Sequence, residues 1–500
     1  MQLQRRQGGI HSEAIWLFSI LAVFLTVNLL TASLSPTVWM DEVTLSDPAI
    51  NLRLFGRFTS SAWYVQSDQD FWSGYPPLYS LLLSTWLWLA PISPTGVRSL
   101  NFVLMALSCL TLWSALRHSQ IVRTQSARLL FVTLILCGFS TSFSYRSGRP
   151  DTLGVLLVSL LALLVICKSS RLRLALIFAV GSLLPWAGLQ LVIYVAILTA
   201  ITVAITRTVS RVSLFLAAGV AAGGIALCLF YAAAGTLSAF IASVRYHTML
   251  SSEQGLVRAS PLTVIHRMLI NSDYSSLDFS SLLLLPILAI CVVLVCRRTQ
   301  ENRQLLLFFV LVVIVVPPTL RLLGKYPIYY FWMSYIPMSF LATYVVDRAE
   351  SLGKYVMVAA VGLICAASSL GLPMRIALAL AEAGGRDYGE VSAYVKSALN
   401  PTDKAFVDYA AYYPSKLRAE KVYVPIYLDI ISDAERRDVT VAVLAGNTRE
   451  PAAFLSREFG GEWEKTAPDY AATSSRNPLS FVKRANPYHL VVLRRKPGRE

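Results

Sequence analysis

The sequence predicts a polytopic α-helical membrane protein that ends in a small α/β domain. Three observations carry that prediction. The 500 residues are 55% hydrophobic and 15% charged, whereas soluble domains carry about 25% charge. Apolar runs long enough to cross a bilayer recur from Ile15 onward, and basic clusters separate them. From about Pro373 the pattern changes to short β-type runs alternating with helical ones.

The spans follow in order. Ile15 to Leu34 is the first, and Arg5 and Arg6 ahead of it place the N-terminus in the cytoplasm by the positive-inside rule. No Ala-x-Ala-like site follows, so the run reads as a retained helix. A polar, aromatic segment from about Ser35 to Tyr75 reads as an outer loop. Pro77 to Pro91 is apolar but short, which suits an interfacial or re-entrant helix. Val97 to Leu116 returns to Arg117, Arg123 and Arg128. A third helix runs out to Tyr145, and a fourth runs in from Thr152 to Lys168, Arg171 and Arg173. A hairpin with Pro185 and Trp186 at its outer turn ends at Arg207 and Arg211. A seventh helix covers Ser213 to Ala233, and a long outer segment extends from Gly235 to Phe279. The eighth ends at Arg297, Arg298 and Arg303. The ninth goes out to Pro317, the tenth returns to Arg348 and Lys354, and the last goes out to about Leu372. The expected total is about eleven helices.

Residues 1–372 therefore form a transmembrane unit with an outer loop over 35–96, and residues 373–500 an outer α/β domain. Strand-like runs in the latter are Ala405–Asp408, Val422–Tyr427, Val439–Leu444 and Leu490–Leu493. Tyr388–Leu399 and Pro451–Phe459 read as helices.

The net charge of +15 alternates with apolar runs, so it is mostly topological and does not build a nucleic-acid surface. The seven cysteines lie in or beside apolar runs, which implies no disulfide framework. The five histidines show no metal-ligand spacing.

Asp41 and Glu42 follow the first span directly. With the expected topology they share the outer face with Arg53, Arg57, Arg146, Arg149, Asp151, Arg321 and Lys325. Outer helix ends normally avoid basic residues, so the set suggests an anionic ligand such as a lipid phosphate. For any one arginine taken alone, snorkelling to ordinary headgroups is the better reading. Asp151 either pairs with Arg149, caps the fourth helix, or joins Asp41 or Glu42 on a divalent metal. Trp63, Tyr64, Phe71 and Trp72 suit sugar stacking or an interfacial belt. His247 is a candidate acceptor contact.

Four segments carry a family resemblance: Asp41-Glu42 after the first span, Tyr75-Pro76-Pro77-Leu78-Tyr79, Arg149-Pro150-Asp151, and Gly324-Lys325-x-Pro327-x-Tyr329. Over residues 10 to 372 the chain resembles the GT-C class glycosyltransferases that include the lipid A aminoarabinose transferase and the protein O-mannosyltransferases. The resemblance implies a sugar donor on a polyprenyl phosphate and a catalytic Asp41, with Lys325, Arg149 and Arg57 holding the donor phosphate. It also implies Tyr75, Tyr329 and Asp151 as substrate contacts. Glu42 would orient Asp41, contact the sugar, or stay solvated. Relatives often carry Lys where this chain has Tyr75 and Arg where it has Thr44, so the donor headgroup is expected to differ from aminoarabinose. The expected activity is sugar transfer to a glycan, lipid or protein hydroxyl on the periplasmic face of the bacterial inner membrane, with inversion and no required cofactor. The alternative is a transporter or flippase of lipid-linked sugars, which would place ionisable groups near the bilayer midplane.

Overall fold

The computed structural model describes residues 2–168, 170–253, 279–296, 302–323, 328–348, 354–381, 383–472 and 488–497. Apolar runs become helices because a lipid environment forces every backbone polar group to be satisfied within the segment. The helices are α1 (Gln2–Thr31), α2 (Met40–Phe55), α3 (Leu78–Trp86), α4 (Pro94–Ser119), α5 (Gln125–Cys137), α6 (Phe139–Arg146), α7 (Asp151–Ile166) and α8 (Arg171–Ala187). They continue with α9 (Leu189–Thr206), α10 (Arg211–Ala233), α11 (Leu237–Glu253), α12 (Phe279–Cys296), α13 (Arg303–Leu322), α14 (Trp332–Asp347), α15 (Lys354–Ser369) and α16 (Leu372–Ala381).

Six described helices are long and apolar enough to cross a membrane, and α5 with α6 makes a seventh if the bent pair is one span. By that measure the spans are fewer than the eleven expected. Among the described residues, two shorter apolar helices, Asp151–Ile166 in α7 and Leu283–Cys296 in α12, fall short of the roughly 20 residues that a full span requires. The Pro77–Pro91 segment forms only the nine-residue α3.

Two local devices shape the bundle. α5 and α6 meet at 57° at Gly138, where a Cβ would lie 2.1 Å from the Tyr335 ring. Past the break, Arg146 at the end of α6 faces the end of α1, and Arg149 faces the start of α2. α8 and α10 approach through small residues: a Cβ on Gly223 would sit 2.0 Å from the Ser182 carbonyl oxygen. Pro185 and Trp186 belong to the last turn of α8 rather than to a loop, and the Trp186 Nε1 donates to the Gly223 carbonyl at 3.0 Å.

Polar locks hold both ends of the bundle. At one end Arg128 grips Glu13 of α1 with two 2.7 Å bonds, and Trp113 Nε1 donates to the same carboxylate at 2.8 Å. At the other, Arg146 donates to Asn28 Oδ1 at 2.6 Å and to the Thr31 and Ser35 carbonyls at 2.9 and 2.8 Å.

The C-terminal part carries α17 (Tyr388–Ala398) and strands β1 (Lys404–Val407), β2 (Lys421–Tyr423), β3 (Val441–Ala445), β4 (Trp463–Lys465), β5 (Tyr470–Ala471) and β6 (His489–Arg495). Sheet order is β2-β1-β3-β6-β4, with β5 on β6. β1 pairs parallel with β2 and β3, whereas β6 is antiparallel to β3, β4 and β5. A short helix, α18 (Tyr412–Lys416), links β1 to β2, and Pro451–Phe459 is helical. The sequence pattern missed the short β4 and β5.

The sheet unit clasps the first loop. Lys421 bridges Asp68 at 2.7 Å and Glu435 at 2.9 Å, and Ser61 Oγ donates to the Val422 carbonyl at 2.7 Å. Exposed Gln69 and Ser432 must then share one side of the membrane. In a background with the seven native cysteines replaced by serine, Gln69→Cys and Ser432→Cys should both react with an impermeant thiol reagent in intact cells, and Thr208→Cys should not. Reaction at only one of the first two would contradict the clasped arrangement.

Candidate active site

The segment expected to be an irregular loop contains α2, and this helix builds the site. Its start is favoured by Asp41 and Glu42 in the first turn, where acidic side chains meet the positive end of the helix dipole. It ends at Gly56, whose φ of 68° places it in the left-handed region while its N–H closes on the Leu52 carbonyl at 3.1 Å. An acidic pair with a glycine fourteen residues after Glu42 was the available signal.

Consecutive helical residues diverge by about 100°, and the two acids go to different partners. Glu42 is fully buried. Arg98 Nη2 and Nε donate to its Oε2 at 2.5 and 3.1 Å, and Tyr413 donates to Oε1 at 3.0 Å. Arg98 Nη1 binds the Ala32 and Pro36 carbonyls at 2.5 and 2.9 Å. Glu42 is therefore neither solvated nor a sugar contact: its lone pairs are taken by α4 and the sheet unit. Burial pushes its carboxyl upward, against the pull of the Arg98 charge.

Asp41 is partly exposed and pairs with Arg149. Arg149 also donates through Nε to Asp151 Oδ2 at 2.8 Å, so one guanidinium joins both aspartates. Its plane stacks on Tyr329, 3.5 Å from the ring centroid. The Arg149 backbone is held by Asn101 Nδ2, which donates to its carbonyl at 2.8 Å. Burial alone would lower the Arg149 pKa, but Asp151, Tyr329 and Asp41 outweigh it and hold the group well above its ordinary value.

Tyr75 is hydrogen-bonded to Gln190 at 2.8 and 3.1 Å. Burial, helped by the Asp151 charge, pushes its phenol up to about 12. The Asp41 charge also reaches Tyr64, Tyr329 and Tyr409, adding to burial in raising each phenol. Tyr409 begins the turn after β1, so the sheet unit contributes an aromatic wall. Trp63 and Trp72 pack against each other and Phe58 in a buried cluster, so core packing accounts for them rather than a membrane belt.

The structure thus gathers Asp41, Arg149, Asp151, Tyr329 and Tyr75. It separates Arg57, which is exposed beyond the far end of α2, about 21 Å along the axis from Asp41. Arg146 is fully engaged by α1, and Arg53 stacks on Trp88 at 3.7 Å. Neither belongs to the cluster. Lys325 and the His247 side chain lie outside the described residues. Arg98, Tyr409 and Tyr413 were missed. Arg98 had a weak signal as a lone base at the outer end of a span, whereas the tyrosines had none before the sheet unit was placed.

No family model and no curated protein sequence matches the chain. Solved structures do. The crystal structure of ArnT from Cupriavidus metallidurans bound to undecaprenyl phosphate superposes with a TM-score of 0.52 at 12% identity, covering 96% of this chain and 98% of that one. The chain therefore shares the fold of that structure. The cryo-EM structure of the arabinofuranosyltransferase AftD from mycobacteria gives a TM-score of 0.50 at 13% identity over 96% of this chain and 40% of its own. The GT-C likeness to ArnT therefore runs through the sheet unit as well as the helices.

Gly148 completes the site. Its φ is +67°, and a Cβ there would lie 2.6 Å from Glu42 Cγ. Gly148→Ala combines backbone strain of about 1–3 kcal/mol with displacement of a buried ion pair. The apparent unfolding midpoint in detergent should fall measurably. An unchanged midpoint would show that Glu42 is not fixed as described.

Proposed function

We propose that this chain is an integral-membrane glycosyltransferase that moves a sugar from a polyprenyl-phosphate donor to an envelope acceptor hydroxyl on the periplasmic face, with inversion. The supporting observation is the Asp41–Arg149–Asp151 array at one end of the bundle, beside Tyr329 and Tyr75, in the fold shared with ArnT.

The chemistry follows from the array. Arg149 is the donor-phosphate ligand, with Lys325, four residues before Tyr329, as the second cation. A phosphate on Arg149 competes with Asp41 for the same N–H groups, so donor binding frees the Asp41 carboxylate. Asp41 then takes the acceptor hydroxyl proton. The acceptor oxygen attacks the anomeric carbon, the carbon–oxygen bond to phosphate breaks, and polyprenyl phosphate leaves with its charge held by Arg149. Asp151 keeps Arg149 oriented throughout, because the Nε bond to Asp151 leaves the Nη groups for the phosphate. A single attack from the face opposite the phosphate inverts the anomeric centre. Glu42 acts indirectly, by fixing α2.

Asp41→Asn should fold, reach the membrane and lose about 10²–10⁴ in transfer rate, assayed as release of polyprenyl phosphate in proteoliposomes. Turnover above about a tenth of wild type, far from that loss, would remove Asp41 as base. Retention of lipid-linked sugar translocation with no transfer in the wild type would favour the flippase alternative. Lys325→Ala should raise the donor KM by about ten- to a hundred-fold, as loss of a charge-assisted contact predicts. An unchanged donor KM would place the phosphate elsewhere.

A further inference from the structure

A polar cleft lies between the far end of α2 and the sheet unit. Its volume is about 480 Å³, and it is lined by the first loop and by residues around β2. Asn51 sits in its wall, nine-tenths buried. Its Nδ2 donates to Asp47 Oδ2 at 3.3 Å and to the Thr59 carbonyl at 2.7 Å. Two acceptors on one amide nitrogen fix the orientation of the group. Asn51 Oδ1 is sealed from solvent and has no donor among the described residues, so the ligand-facing groups of the cleft are its exposed side chains.

The rest of the lining suits one ligand chemistry. Phe55 is exposed, with 56% of its surface open, and offers a ring face. Arg57 is exposed and has no described partner, whereas the neighbouring Lys421 is occupied by Asp68 and Glu435. Glu420 is exposed and supplies acceptors on the same wall. The Arg57 guanidinium, the Glu420 carboxylate and the Phe55 ring together match a ligand that carries many hydroxyls around an apolar ring plane. A lipid tail would leave these polar groups unsatisfied.

We infer that this cleft is a saccharide-binding subsite that holds part of the acceptor away from the reaction centre. The inference rests on the glycosyltransferase assignment above and deepens it. The cleft wall on α2, from Asn51 to Phe55, stands about 15–21 Å along the helix axis from Asp41. An acceptor that occupies both is an oligosaccharide-bearing molecule, not an isolated protein hydroxyl. Arg57, expected from sequence to bind the donor phosphate, becomes an acceptor-binding residue.

The test is binding of the detergent-purified full chain to an immobilised panel of bacterial envelope oligosaccharides. The wild type should retain at least one glycan of several sugar units. Arg57→Ala and Phe55→Ala, both at exposed positions, should weaken that retention tenfold or more while leaving the unfolding midpoint unchanged. Asp41→Asn should bind the same glycan as wild type does, even though its transfer is lost, which separates failure of the subsite from failure of the catalytic assignment. No retained glycan, or retention indifferent to both cleft variants, would overturn the subsite. Loss of retention in Asp41→Asn would place the glycan at the reaction centre and overturn it as well.

Discussion

The buried ion pair between Glu42 and Arg98 sets the rotation of α2, and the placement of Asp41 beside Arg149 depends on it. Two charges without solvent contact are tolerated only when their remaining hydrogen-bonding capacity is filled. Here the Ala32 and Pro36 carbonyls and the Tyr413 hydroxyl fill it. Removing one partner of such a pair typically costs about 3–5 kcal/mol. Because Asp41 precedes Glu42 by one residue on a helix, fixing Glu42 inward aims Asp41 at Arg149.

The same helix joins the two parts of the protein. Asp47 is fully buried and collects Lys416 at 2.9 Å, Ser60 and Ser61 at 2.8 Å each, and the Tyr412 hydroxyl. Val38 N–H, just before α2, donates to the Tyr488 hydroxyl at 3.1 Å. α2 therefore faces the membrane helices through Glu42 and the sheet unit through Asp47.

Legibility from sequence followed the range of the interactions. Membrane spans such as Pro94–Ser119 were readable because hydropathy is local, and the strands at Ala405, Val422, Val441 and Leu490 were readable from β-branched runs bounded by turns. Asp41, Arg149 and Asp151 stood out as charges next to apolar runs. α2 was not readable as a helix because its burial comes from both neighbouring units, so it shows no clean amphipathic stripe, with buried residues running continuously from Glu42 to Asn51. The role of Glu42 was hidden for the same reason: Arg98 is 56 residues away and Tyr413 371 residues away. Arg57 was misplaced because proximity to Asp41 in sequence became separation along a helix.

The most direct test of the reaction centre is a cryo-EM structure of the protein with undecaprenyl phosphate bound. The account predicts phosphate oxygens within hydrogen-bond distance of the Arg149 guanidinium, Asp41 released from Arg149, and the Glu42–Arg98 pair unchanged. A phosphate bound elsewhere, with Asp41 and Arg149 still paired, would contradict it.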